Sequence, residues 1–182
     1  MRPIYNQKLR NMKKVLLIAA LTAVSFAGFA QDEKGATKKF GFSVGVEAAL
    51  PMGDFGDSYG FGIGGTVQAD YNVNDKFALT LNTGYITYSG KTIDLGIISI
   101  KNDALGLIPV LAGAKYSFSE NVYGSAQLGV SIASGSGSGS NFTYAPGVGV
   151  KFSNFDVLVK YTGISATGGS LNAIGLRAAY NF

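Results

Sequence analysis

From Phe40 to Phe182, large apolar side chains recur at every second residue, and they never form an unbroken run of helix length. A helix crossing a membrane needs about 20 consecutive apolar residues. The longest candidate, 104–114, is far shorter and contains Pro109. Alternate residues of an extended chain point to opposite faces, so order of period two predicts strands. Phe40, Phe42, Val44, Val46, Ala48 and Leu50 share one parity, against Gly41, Ser43, Gly45, Glu47 and Ala49. The stretch 142–152 repeats this with Phe142, Tyr144, Pro146, Val148, Val150 and Phe152 against Thr143, Ala145, Gly147, Gly149 and Lys151. Similar runs lie at 61–71, 77–88, 104–118, 122–134, 155–162 and 171–182, eight in all. Two places fit less well. The pattern weakens at Ile86, and in 104–118 Leu105, Leu107 and Leu111 share a parity with Lys115.

The connections alternate in length. Residues 72–76, 119–121 and 153–154 are tight and rich in turn formers, whereas 51–60, 89–103, 135–141 and 163–170 are longer. Short turns at one end and long loops at the other predict an all-β, eight-stranded antiparallel up-and-down transmembrane β-barrel. The loop 89–103 carries Ile93 to Ile100 and is expected to extend as an outer hairpin.

A soluble barrel would hide its large side chains inside. Here the other parity is mostly Gly, Ala, Ser and Thr, which suits a narrow lumen, so the bulky parity is assigned to lipid. Aromatics also sort by height. Phe40, Tyr71, Phe77, Tyr116, Phe118, Phe152, Phe155, Tyr180 and Phe182 fall at the short-turn end, and Phe61, Tyr85, Phe142, Tyr144 and Tyr161 towards the long loops. Two aromatic girdles match two membrane interfaces. On this assignment Val148→Arg should cost roughly 2–4 kcal/mol, and Gly149→Ser on the lumen parity should be far milder.

The first thirty residues hold five of the fifteen Lys and Arg and no acid, which leaves ten basic side chains against eleven acidic ones. The basic character therefore belongs to the leader and implies no nucleic-acid partner. Lys13 and Lys14, an apolar run from Val15 to Val24 and small residues ending at Ala30 form the three regions of a cleaved signal peptide. Met12 is a candidate true start within this 1–30 leader. Residues 31–39 are expected to be a short polar periplasmic segment, and 40–182 the barrel domain. With no cysteine there is neither a lipid-attachment residue nor a disulfide.

The absence of His and Cys removes the common nucleophile–base pairs and most zinc sites, so no enzyme, cofactor or metal is expected. Residues 60–65 match G-x-G-x-x-G by letter, but strand character continues through 66–71 where a nucleotide site needs a helix. Asp54 and Asp57 supply two carboxylates, short of the oxygens that Ca²⁺ requires. The candidate site is instead a set of charges on the lumen parity: Glu47, Asp70 and Asp156 against Lys115, Lys151, Lys160 and Arg177. Near-cancellation suits a side-chain-filled lumen, since an isolated buried charge is very costly. Closing the barrel sets the last strand beside the first, so Glu47 is expected near both Arg177 and Lys160.

The leader, the eight alternating strands and the ending Leu176-Arg177-Ala178-Ala179-Tyr180-Asn181-Phe182 resemble the small outer-membrane barrels of the OmpA/OmpX type, often termed porin-like. The resemblance implies residence in the outer membrane of a Gram-negative bacterium, with membrane lipid as partner. A monomer is expected, and the periplasmic peptidoglycan-binding domain carried by OmpA itself is expected to be absent, since the sequence stops at the barrel. It also implies that the barrel-assembly machinery reads Leu176, Ala178, Tyr180 and Phe182 as an assembly signal. No motif names an external ligand. Two roles follow: a non-catalytic structural or adhesive protein working through its loops, or a narrow channel for small solutes or ions.

Overall fold

The computed structural model describes residues 39–94, 99–134, 139–166 and 169–182. The leader and most of the segment 31–39 lie outside the described residues. The elements are β1 (Phe40–Met52), α1 (Asp54–Ser58), β2 (Tyr59–Asn72), β3 (Phe77–Gly90), β4 (Thr92–Asp94), β5 (Ser99–Lys101), β6 (Leu105–Ser117), β7 (Val122–Ser134), β8 (Ser140–Phe152), β9 (Phe155–Ala166) and β10 (Gly169–Asn181). Eight of the strands close a barrel in the order β1-β10-β9-β8-β7-β6-β3-β2, and β4 and β5 form a separate two-stranded sheet. Every barrel pair is antiparallel, including the β1–β10 seam, where Glu47 lies opposite Arg177. Closure leaves no sheet edge in the barrel wall, which a membrane interior demands because it offers no water to satisfy backbone groups.

The alternation maps onto two faces. In β1, Ser43, Glu47 and Ala49 are buried in the lumen, while Val44, Val46 and Leu50 are exposed on the outside. The same holds around the wall, where Val67, Leu81, Val110, Leu128, Val148, Val159 and Leu176 face outward. Such a surface is intelligible only against hydrocarbon. The short-turn girdle is built of touching rings: Phe40 with Tyr71 at 5.1 Å, Tyr116 with Phe118 at 5.7 Å, Phe155 with Tyr180 at 5.4 Å, and Tyr180 with Phe182 at 5.1 Å. Towards the long loops Tyr144 meets Tyr161 at 6.1 Å. The four residues Leu176, Ala178, Tyr180 and Phe182 all lie on this outer face.

Two proline positions interrupt the ladders. Between β3 and β6 the pairing lapses opposite Pro109, and between β8 and β9 it lapses at Pro146. A residue without an N–H removes one rung. The strands also run further than alternation alone indicates. Much of 163–170, expected as loop, is paired between β9 and β10 up to Ala166 and Gly169. Outside lipid a ladder needs no alternation, so Ser, Gly and Thr continue it without that signature. The loop 89–103 does form a hairpin, with Thr92 opposite Lys101 and Asp94 opposite Ser99, but as its own small sheet.

Candidate functional site

The lumen is filled in layers. At the short-turn end Lys115 on β6 donates to Asp70 on β2 at 2.9 Å and lies 3.8 Å from Asp156 on β9. The Tyr123 hydroxyl donates to the other oxygen of Asp156 at 2.6 Å. Lys115 and Lys151 stand over the Tyr123 ring, at 5.0 and 5.4 Å from its centroid. Cations held against a ring face are attracted by its quadrupole. Lys151 is the Cα partner of Asp156, yet no ion pair joins them among the described residues. Gly149 makes room for this arrangement. A Cβ there would stand 2.6 Å from Tyr123 Cε1 and closer still to the hydroxyl end. The expectation that Gly149→Ser is mild is therefore corrected: the lumen at that position is already occupied.

The next layer is built of amides and hydroxyls around Arg177, and charge does not single out its Gln and Thr members. Gln127 donates to Gln68 and Thr80, each at 3.1 Å, and Gln68 donates to Asp70 at 2.7 Å. Arg177, fully buried, donates from Nε to Thr66 at 2.8 Å and from Nη2 to Ser43 at 2.9 Å.

Glu47 is where the expected cluster divides. Its register partner is Arg177, yet the guanidinium turns away to the Ser43 and Thr66 hydroxyls, nearer the short-turn end. The expected Glu47–Arg177 ion pair is not formed. Lys160 takes the carboxylate instead, with Nζ 2.9 Å from both Glu47 oxygens. Lys160 sits on β9, two strands away, and crosses over Gly175 of β10, its Cα partner. A Cβ at Gly175 would meet Lys160 Cγ at 3.4 Å and Glu47 Oε1 at 3.5 Å, ordinary contact distances, so the lysine stem and the carboxylate both lie directly over this position. The seven predicted residues thus form a Lys115–Asp70–Asp156 group flanked by Lys151, a Glu47–Lys160 pair, and Arg177 held by hydroxyls.

Above Glu47 the chemistry changes. Ala49, Ile86, Tyr88, Leu107, Ile164 and Ala173 point inward and form one buried apolar cluster with Phe55 of α1. Phe55 is only 2 % exposed, and its ring lies 5.0 Å from Tyr88 and 5.3 Å from Tyr59. Gly62, within the G-x-G-x-x-G match, lies in strand β2 under the Tyr88 ring, where a Cβ would meet Cδ1 at 2.6 Å. This cluster accounts for both lapses in alternation, since Ile86 and Leu107 are lumen residues of an apolar cap. Between the cap and the charge network remains a cavity of about 20 Å³, lined by Glu47, Lys160, Thr143, Ser131 and apolar side chains. That is close to the room one water molecule needs, about 10–15 Å³.

Among the described residues no group of three or more His, Cys, Asp or Glu comes together, and Asp54 and Asp57 lie on α1 without a third carboxylate.

A family model described as "Outer membrane protein beta-barrel domain" matches residues 16–182. No curated protein sequence matches the chain. Among solved structures, Ail, the attachment invasion locus protein of Yersinia pestis, is similar at 17 % identity and a TM-score of 0.55, covering 79 % of this chain and 97 % of Ail. Neisserial surface protein A is similar at 18 % identity and a TM-score of 0.52, covering 81 % of this chain and 98 % of that one. A de novo designed transmembrane β-barrel aligns at 16 % identity and a TM-score of 0.50, covering 84 % of this chain and 100 % of the design. At these identities the likeness concerns the fold.

Proposed function

The chain belongs to the outer membrane protein β-barrel domain family, and from that premise we propose that it is a non-catalytic envelope protein acting through its long loops, in a structural or adhesive capacity. The observation that carries this reading is the filled lumen. Among the described residues the cavity between the short-turn charges and the Phe55 cap holds about 20 Å³, whereas a solute path would need continuous space. An eight-stranded barrel encloses little more than its own side chains, and here those side chains are tied to one another by ion pairs and hydrogen bonds. What the scaffold presents outward is the long-loop end, where a paired hairpin, β4–β5, joins β3 to β6. Its sequence carries Ile93, Leu95, Ile97, Ile98 and Ile100, an apolar content suited to protein contact rather than solvation. The similarity to an attachment and invasion protein and to a surface protein supports an outward-facing role.

The test compares cells displaying the parent barrel with cells displaying a form whose residues 92–101 are replaced by a short Gly–Ser turn. Adherence to cultured epithelial cells should fall in the variant while folded barrel in the outer membrane stays level. A structural role would instead show as detergent sensitivity when the whole barrel is removed. If neither adherence nor barrier strength changes in either comparison, the proposal fails.

A further inference from the structure

Helix α1 is little more than a single turn, with backbone bonds from Asp57 N to Gly53 O at 3.1 Å and from Tyr59 N to Phe55 O at its two ends. A helix this short cannot hold itself together, since nucleation is unfavourable and isolated helices need many more residues. Its position must come from what it touches. Phe55 supplies one anchor, pressed into the apolar cap of the lumen. The other anchor is the base of the β4–β5 hairpin. Lys91 donates from Nζ to the Gly56 carbonyl at 2.6 Å and from its backbone N to the Ser58 carbonyl at 3.1 Å. Asn102 donates from its side chain to the same Ser58 carbonyl at 3.0 Å, and from its backbone to the Lys91 carbonyl at 3.0 Å. The Gly56 and Ser58 carbonyls of the helix are thus satisfied by the two residues flanking the hairpin. Gly90 lets these two strands of chain approach, because a Cβ there would collide with the backbone carbonyl of Asn102.

We infer that the outer hairpin and the α1 plug form one mechanical unit, in which Lys91 and Asn102 transmit displacement of the hairpin base to Phe55 in the mouth of the lumen. The hairpin base, at Lys91 and Asn102, is the part of the unit that holds the helix, and Phe55 is the part that seals. Motion of the base pulls on Gly56 and Ser58, which lie one and three residues beyond Phe55. Among the described residues no hydrogen bond joins the Glu47–Lys160 pair below to this unit, so movement of the unit uncovers the apolar cap without opening the barrel through its length. The inference rests on the sealed mouth and not on the adhesive reading, and it holds whatever the hairpin contacts.

The chain has no cysteine, so a single introduced thiol reports cleanly. Leu107→Cys places it in the buried cluster that Phe55 closes. Labelling by a charged, water-soluble methanethiosulfonate is measured on the full barrel in lipid nanodiscs, with folding checked by heat-shifted gel mobility. Labelling should be slow in Leu107→Cys alone. Adding Lys91→Met and Asn102→Ala should speed it about ten-fold, the scale expected from losing the two side-chain hydrogen bonds that hold a locally opening segment, the backbone bonds being kept. Asn102→Ala by itself should give part of that rise, and it decides the matter if the combined variant folds poorly. Lys76→Met, in a turn at the opposite end, should change nothing. A rise with Phe55→Ala but none with the Lys91 and Asn102 changes would overturn the linkage while leaving the seal intact. Fast labelling in Leu107→Cys alone would overturn the seal as well.

Discussion

Below Glu47 the lumen is packed with amides, hydroxyls and paired charges; above it, Ile86, Tyr88, Leu107, Ile164 and Phe55 pack as they would in a soluble core. Both halves are closed, but they depend on different physics. The lower half is enclosed by the wall within the lipid-facing zone, where each polar group needs a partner because none is supplied from outside. The upper half borders the loops and bulk water. There burial of apolar surface is favourable in its own right, at about 25 cal/mol per Å², and no partner is required. A polar network should therefore respond sharply to loss of one member, and an apolar cap gradually to loss of volume.

The largest effect expected from this contrast is at Asp156. Its removal takes the acceptor from the Tyr123 hydroxyl and leaves Asp70 as the one carboxylate beside Lys115, and breaking one side of a buried ionic group typically costs about 3–5 kcal/mol. Asp156→Ala should lower the urea unfolding midpoint in vesicles accordingly. Phe55→Ala should cost less, about 2–3 kcal/mol, because a surface cap collapses more readily than the sealed cores in which Phe→Ala costs are largest. If Phe55→Ala proved the more damaging of the two, the ranking of the halves would be reversed. The finest discrimination lies at Glu47. A double-mutant cycle of Glu47→Ala with Lys160→Ala should give a coupling of about 1–3 kcal/mol, and one with Arg177→Ala should stay below about 0.5 kcal/mol. Equal coupling to both cations would restore the arrangement that register alone suggests.

The wall was legible because lipid imposes a rule on every second residue, and the rule shows wherever a strand crosses the apolar zone. The lumen was legible only in part. Its charges stand out against Gly, Ala and Ser, so Asp70, Lys115, Asp156 and Lys160 could be named from parity. Their pairing could not, because a side chain four methylenes long reaches past its register partner, here Gly175, to a carboxylate on the next strand. Arg177 misled for the same reason in reverse: adjacency to Glu47 is a backbone fact, and hydroxyls at Ser43 and Thr66 offered it satisfied geometry elsewhere. The cap left a trace that reads as noise in one dimension. Ile86 and the Leu105, Leu107 and Leu111 series broke the alternation because an apolar inner face follows an apolar outer one. The five-residue α1 left no periodic signal, and only the turn-forming Gly53, with φ at 58°, marks its start.

Planar-bilayer recording tests the closed lumen most directly. The parent barrel should give no stable unit conductance, and Phe55→Ala should give none either, since the Glu47–Lys160 pair and Arg177 still fill the section beneath the cap. Reproducible unit steps from the parent barrel would contradict the account.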